Sequence, residues 1–467
     1  MTTPPPPSWP HCAHGADSAD PVGCRGIHVP GHTACLAHLP DADRDTYLAG
    51  LAPGADIDHR GTPFTEDLLN RLLDAVRDPT TTHPHFGDTR FGGAQFSATA
   101  RFNGAQFSGT AQFGGAQFSG TALFDEAQFS RTARFGGAQF SDDVWFGGAK
   151  FSRTAWFGGA QFSRTAQFGG AQFSGTAQFD EAQFSGTARF GGAQFSDAWF
   201  GGAQFSGTAR FNGAQFSGTA QFGRAQFSGT VLFEEAQFSG AARFVGVRFS
   251  GDALLGRAEF SDGLFEGARF SGDTWFDGTR FFGTALFEEV QFSGAARFDG
   301  ARFSGTAQFG RAQFSGTAVL DRARFSGDAV FDKAQFSDGV GFVGVQFSGD
   351  TQFGGAQFSA ASGWGPVVCG GTVDLSGAVF GAPVTLEISA KEVLCTRTRW
   401  QSTATVRVRH AAVDLGHAVL EAPPSPSPPT PPRSPTPLAT FWTRAGCRAA
   451  ARCGWCRCRA WTPRIWC

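Results

Sequence analysis

The residues best suited to chemistry in this 467-residue chain stand near its start: Cys12, His14, Cys24, Cys35 and His38. Thiolate and imidazole are the ligands that tetrahedral zinc takes, and a short Gly/Pro-rich segment with no core of its own gains most from binding one. Cys12-x-His14 and Cys35-x-x-His38 are close pairs, and Cys24 lies between them. The expected ligand set is Cys12, Cys24, Cys35 and His38, with His14 as a substitute. The alternative is a group of reduced cysteines in a loosely packed cap, because the spacing matches no named zinc finger. No cofactor is expected, unless these residues hold a structural zinc.

Elsewhere the candidates for chemistry are thin. Asp58-His59 could supply an acid–base pair, but no nucleophile stands beside it, and Asp56, Asp58, His59 and Arg60 read as a solvated charged turn. The pairs Asp125-Glu126, Asp180-Glu181, Glu234-Glu235 and Glu288-Glu289 recur about every 55 residues. They read as solvated face residues that alternate between opposite sides, which is no arrangement for a general acid and base. No histidine occurs between Phe86 and Phe358, and every G-G follows a strand rather than opening a helix. The chain is therefore expected not to be an enzyme.

The ten cysteines lie outside the repeats described below, so no disulfide framework is expected to hold them. Cys453, Cys456 and Cys458 fall in an Arg/Cys/Trp-rich stretch without period, which reads as the product of a shifted frame in a GC-rich gene. Met1 to Pro10 has no apolar segment of the kind that opens a secretory signal. No apolar run is long enough to span a bilayer, and a cytoplasmic protein is expected. The net charge of −2 argues against direct binding to nucleic acid or to a membrane surface.

Two helices are predicted next. Asp41 to Leu51 carries acidic residues in its first turn, and Thr65 can cap a helix reaching Arg77. Leu68, Leu69, Leu72, Ala75 and Val76 form an apolar face that suits the open first coil of a repeat array.

That array is the main feature of the chain. A-Q-F-S-G-T-A-R-F-G-G recurs with small changes about two dozen times, and phenylalanines step by five and six through Phe91, Phe96, Phe102, Phe107, Phe113 and Phe118. Ala lies two residues before each Phe, so both point to one side of an extended chain while Gln or Arg points to the other. Gly and Ser after each Phe supply corners. Four such sides close a coil of about 22 residues, and the Phe ladder, with Phe96, Phe102, Phe107, Phe113 and Phe118 as its first members, is a core. Coils stacked at roughly 4.8 Å would make a rod of about 55 to 60 Å. The sides ending at Phe200 and Phe265 are one residue short.

A-Q-F-S-G, as at Ala105 to Gly109, resembles the pentapeptide-repeat family, here in an eleven-residue, five-plus-six form. The sixth residue, as at Thr110, is read as a bulge at alternate corners. The resemblance implies an all-β solenoid: a right-handed quadrilateral β-helix of about twelve coils, with a small helical N-terminal cap and a disordered C-terminal tail. The expected divisions are 1–40, the Cys/His segment; 41–85, the helical cap; 86–360, the repeats; 361–421, degenerate coils in which V-D-L and A-V-F keep the small-x-large rule; and 422–467, a Pro-rich linker and tail.

The function expected is a rigid scaffold that presents faces to a protein partner, with a homodimer through an end coil as a further option. The resemblance also brings an alternative, because some family members mimic duplex DNA and modulate DNA gyrase or topoisomerase. The near balance of charge in the repeat disfavours it.

Overall fold

A computed structural model describes residues 6–421 and, beyond them, the backbone of three short strands, Arg448–Ala449, Cys456–Trp461 and Arg464–Trp466. The expected Pro-rich linker, the disordered tail and the thiols of Cys453, Cys456 and Cys458 lie outside the described residues. The chain divides into two compact units: Met1–Leu254 with Glu259–Ser261, and Leu255–Ala258 with Asp262–Cys467.

Both units are β-solenoids of parallel stacked strands. In the first, Gln95 pairs with Gln117, Ala100 with Ala122, Gln106 with Gln128 and Ala111 with Ala133. Each coil is thus one residue-for-residue copy above the last. Each Phe amide donates to the coil that follows, as from Phe102 to the Leu123 carbonyl at 2.7 Å. The alternation read from the sequence holds throughout. Phe96, Phe102, Phe107, Phe113 and Phe118 are buried together with Ala94, Ala100, Ala105, Ala111 and Ala116.

The phenylalanines pack in two ways at once. Along a column, rings stack nearly parallel: Phe107 and Phe129 are 4.7 Å apart at 0°. Within a coil they meet edge to face, as Phe102 and Phe113 do at 5.6 Å and 80°. Both are favoured arrangements of ring quadrupoles. Each ring adds about 2 to 3 kcal/mol of transfer free energy, but only when the neighbouring coil covers it.

The side that ends short at Phe200 is absorbed at a corner. The register of strand Gln172–Gln178 against Gln194–Trp199 shifts between Phe173 and Thr176, and pairing resumes at Thr176 with Asp197.

The coil count is about fifteen rather than twelve. One extra coil lies before the repeats. Strand Ala55–Asp58 pairs with His85–Arg90, and Pro63–Phe64 pairs with Gln95–Phe96, so Phe64 stacks on Phe96 at 5.2 Å. The stretch read as a charged turn between helices is therefore mostly strand. Ile57 and His59 point inward while Asp56, Asp58 and Arg60 point outward, which is the same alternation in charged dress. The others come after Phe358. Strands Ser362–Cys369, Val384–Ser389 and Ala404–Arg409 stack in parallel, with one register shift between Trp364 and Val367, and the column Phe358–Phe380–Trp400 continues the core. Here the repeat contracts: Val384 lies beside Ala404 and Val379 beside Arg399, a step of 20 residues.

The two predicted helices are α1, Asp41–Ala49, and α2, Glu66–Ala75. Thr65 caps α2 by accepting the Leu68 amide at 3.2 Å. The buried face of α2 is Leu68, Leu69, Leu72 and Leu73, continued by Val76. Leu73 takes the place expected for Ala75, which is only half-buried.

Candidate functional site

The fold brings the N-terminal candidates Cys12, Cys24, Cys35 and His38 together. His11 and Ile27 form an antiparallel bridge. Around it the Cys12 amide donates to the Gly26 carbonyl at 2.8 Å, and the Cys24 amide to the His14 carbonyl at 2.9 Å. This hairpin carries Cys12 and Cys24. Cys35 precedes a single 3-10 turn, Leu36–His38, that turns His38 back toward it.

The four ligand atoms of Cys12, Cys24, Cys35 and His38 all lie within 4.8 Å of one another. Cys24 Sγ is 3.7 Å from Cys35 Sγ. His38 Nδ1 is 3.4 Å from Cys35 Sγ and 3.5 Å from Cys12 Sγ. His14 stays outside the set; its ring stacks on His38 with centroids 4.1 Å apart. Cys35 is fully buried, and it reaches this position because residue 26 is glycine: a Cβ there would stand 2.6 Å from the Cys35 Cβ. A hydrogen bond from Cys35 draws the Cys24 thiol down to about 5, and the same bond, with burial, pushes Cys35 up.

The Asp58-His59 pair is neither a solvated loop nor an acid–base dyad. His59 is fully buried against Phe64 and Phe91, with ring centroids 5.9 and 6.3 Å away, and its Nε2 lies 3.3 Å from the Tyr47 hydroxyl of α1. Burial pushes its pKa down to about 4, against a weaker opposing pull from Asp58. The Asp58 carboxylate faces outward and pairs with Arg60 at 2.8 Å and Arg90 at 3.6 Å.

The acidic pairs sit at corners, and the two that begin with Asp have a structural job that the solvated reading missed. Asp125 Oδ1 accepts the Gly147 amide, and Asp180 Oδ1 the Gly201 amide, each at 2.9 Å in the following coil. Asp143, Asp197, Asp262 and Asp332 bind amides 22 residues ahead in the same way. The second members, Glu126, Glu181, Glu235 and Glu289, hold φ between 56° and 59°, where repeats with G-G place a glycine.

The sides between corners carry a different chemistry. One side of the first unit presents Arg101, Leu123, Trp145, Gln167, Arg189, Arg210, Leu232 and Leu254 on consecutive rungs. The next but one presents Arg90, Gln112, Arg134, Trp156, Gln178, Trp199, Gln221 and Arg243. The remaining two are ladders of Gln broken by Lys150 and ended by Arg248. From Arg90 to Leu254 the outward residue just before each inward Phe or Leu is Gln, Arg, Trp, Leu or Lys150, never a carboxylate; Asp197 stands within strand Gln194–Trp199 but at its bend between two such residues. Trp145, Trp156 and Trp199 are 46%, 45% and 38% exposed. A shallow groove of about 330 Å³ runs beside Trp145's column, lined by Gln167, Arg189, Arg210, Asn212 and Leu232. In the second unit, Arg280, Arg302 and Arg324 stack in register on one side.

A coil of four short sides, a small residue and a large one inward on each, and parallel rungs 22 residues apart define the pentapeptide-repeat class of β-solenoid. The chain belongs to the pentapeptide-repeat family: the description "Pentapeptide repeats" matches nine overlapping copies between residues 82 and 357, more than half of the sequence. A search of curated proteins found no match. No helix among the described residues is long and apolar enough to cross a membrane.

Proposed function

We propose that this protein is a non-catalytic cytoplasmic scaffold whose repeat faces bind a protein partner. The observation that carries the proposal is the make-up of the outward residues that precede each inward Phe or Leu from Arg90 to Leu254, which are Gln, Arg, Trp and Leu with one Lys and no carboxylate. Arg and Trp are the residue types that anchor protein interfaces, because they bring large rigid area and directed hydrogen bonds at little entropic cost. Flat ladders of such residues on a backbone held by a continuous Phe core are preorganised, so ordering costs on binding are small. A partner that matches the Trp145–Leu232 side would place carboxylates opposite Arg189 and Arg210 and an apolar side chain opposite Leu232.

The alternative, modulation of gyrase by duplex mimicry, needs regularly placed negative charge along the faces. Between Arg90 and Leu254 the carboxylates lie instead where one side bends into the next, several of them engaged with amides of the next coil. A supercoiling assay separates the two readings. A scaffold leaves gyrase activity unchanged at micromolar protein, and inhibition or protection there would favour the mimic.

A further inference from the structure

We propose that Cys12, Cys24, Cys35 and His38 bind one structural zinc ion that locks the N-terminal segment.

The geometry argues for it independently of the residue types. In a tetrahedral site with Zn–S of about 2.3 Å and Zn–N of about 2.05 Å, two sulfurs stand about 3.8 Å apart and a sulfur and nitrogen about 3.6 Å apart. The observed separations are 3.7 Å for Cys24–Cys35, 3.4 Å for Cys35–His38 and 3.5 Å for Cys12–His38. Three edges of one tetrahedron are therefore already close to their coordinated lengths. A disulfide would need the two sulfurs at about 2.05 Å and would leave Cys12 and His38 aimed at nothing.

The surroundings fit a closed, four-ligand site. Four protein donors leave no open position for a substrate, which is the pattern of structural rather than catalytic zinc. The Gly26 amide donates to Cys24 Sγ at 3.4 Å, which offsets part of the thiolate charge. Binding exchanges the thiol protons of Cys12, Cys24 and Cys35 for the metal and involves no change of oxidation state.

The ion would join two pieces of chain that have little core of their own. One is the hairpin bearing Cys12 and Cys24; the other is the turn bearing Cys35 and His38, which leads into α1. The same hairpin reaches the first coil through the Ile27 amide, which donates to the Arg60 carbonyl at 2.8 Å, and through Arg60 over the Trp9 ring at 4.8 Å. Zinc here would thus fix the cap that covers the start of the solenoid.

The test uses the full chain, purified with reductant and without chelator. Elemental analysis is expected to find close to one zinc per chain, with loss of the ion in Cys24→Ser and Cys35→Ser and full retention in Cys369→Ser. Should the cysteine variants fold poorly, the wild-type chain stripped of metal and titrated with Co²⁺ supplies a second measurement. It is expected to show the intense visible bands of a tetrahedral thiolate site, saturating at one equivalent. Chelation is expected to open trypsin cleavage after Arg25 and Arg44. Zinc content no higher than in Cys24→Ser, a weak octahedral Co²⁺ spectrum, or a Cys24–Cys35 disulfide in freshly prepared reduced protein would each overturn the proposal.

Discussion

His59 occupies the place of a phenylalanine above Phe91: its amide donates to the Arg90 carbonyl at 2.8 Å, and its ring is buried 6.3 Å from the Phe91 ring. A titratable ring therefore closes a column that is otherwise Phe91, Phe113, Phe135 and Phe157.

This placement makes the fold sensitive to mild acid. The folded pKa of about 4 lies below the ordinary value of 6.5. The stabilisation is complete above pH 6.5 and is lost as pH falls toward 4, because only the unfolded chain takes up the proton in that window. The loss is on the order of 3 kcal/mol. The facing groups do not cancel it: the Tyr47 hydroxyl stays protonated, and Asp58 is committed to Arg60 and Arg90. Urea titrations of wild type and His59→Phe at pH 7 and pH 4.5 should show a markedly smaller acid loss in the variant. Equal losses would mean that His59 is solvated.

The core and the faces should respond oppositely to truncation. Phe113→Ala removes a ring that stacks on Phe135 at 4.9 Å and meets Phe102 edge-on, and it should cost about 3 to 5 kcal/mol. Trp145→Ala, at a 46% exposed position, should change stability by less than about 0.5 kcal/mol. Chemical denaturation of the two variants checks both numbers.

Asp125 separates hydrogen bonding from charge. Its Oδ1 holds the Gly147 amide, while burial pushes its carboxyl above the ordinary range, the amide bond opposing. A raised folded pKa disfavours the charged form, so what the carboxyl contributes is greatest in acid and falls as pH rises through the folded pKa. Asp125→Asn keeps the acceptor and should be neutral or stabilising at pH 7, with the gain vanishing at pH 3. Asp125→Ala should cost about 1 kcal/mol by leaving the amide without its partner. Thermal melts at both pH values decide; an Asn variant as weak as the Ala variant would show that the charge itself is what the corner needs.

The corners also contain avoidable strain. Glu126 holds φ at 58°, and its counterpart on the next corner of that type, Gly137, holds 64°. Glu126→Gly should stabilise by about 0.5 to 1 kcal/mol, and Gly137→Ala, where nothing lies within 4 Å of the added carbon, should cost a similar amount by backbone strain alone. Denaturation midpoints of the two variants should move in opposite directions.

The solenoid was legible because its cause is local: Ala and Phe two apart on an extended chain reveal which side is inward, and identical rungs make every coil predict the next. The first coil was not, because Asp56, Asp58 and Arg60 outnumber Ile57 and Phe64 in a stretch too short for the alternation to show. The step of 20 residues from Thr372 onward likewise follows from how Thr372 meets Glu392 and Val384 meets Ala404, pairings no window of sequence contains. Cys12, Cys24, Cys35 and His38 could be picked by chemistry, yet their convergence depends on the His11–Ile27 bridge and on Gly26. That His14 stacks on His38 instead of joining them is a matter of ring packing that spacing does not encode. The corner role of Asp125 was hidden for a similar reason, since its partner Gly147 is distant in sequence and adjacent only once the coils stack.

The central claim is that the Trp145–Leu232 side is a binding surface for protein. The direct measurement is parallel affinity capture with wild type and with a Trp145→Ala, Arg189→Glu, Arg210→Glu variant of matched stability. The account predicts a protein partner, acidic at its contact surface, that the wild type retains in a salt-sensitive manner and the variant loses. A partner retained equally by both proteins, or one lost only on truncating Gln-bearing sides, would contradict it.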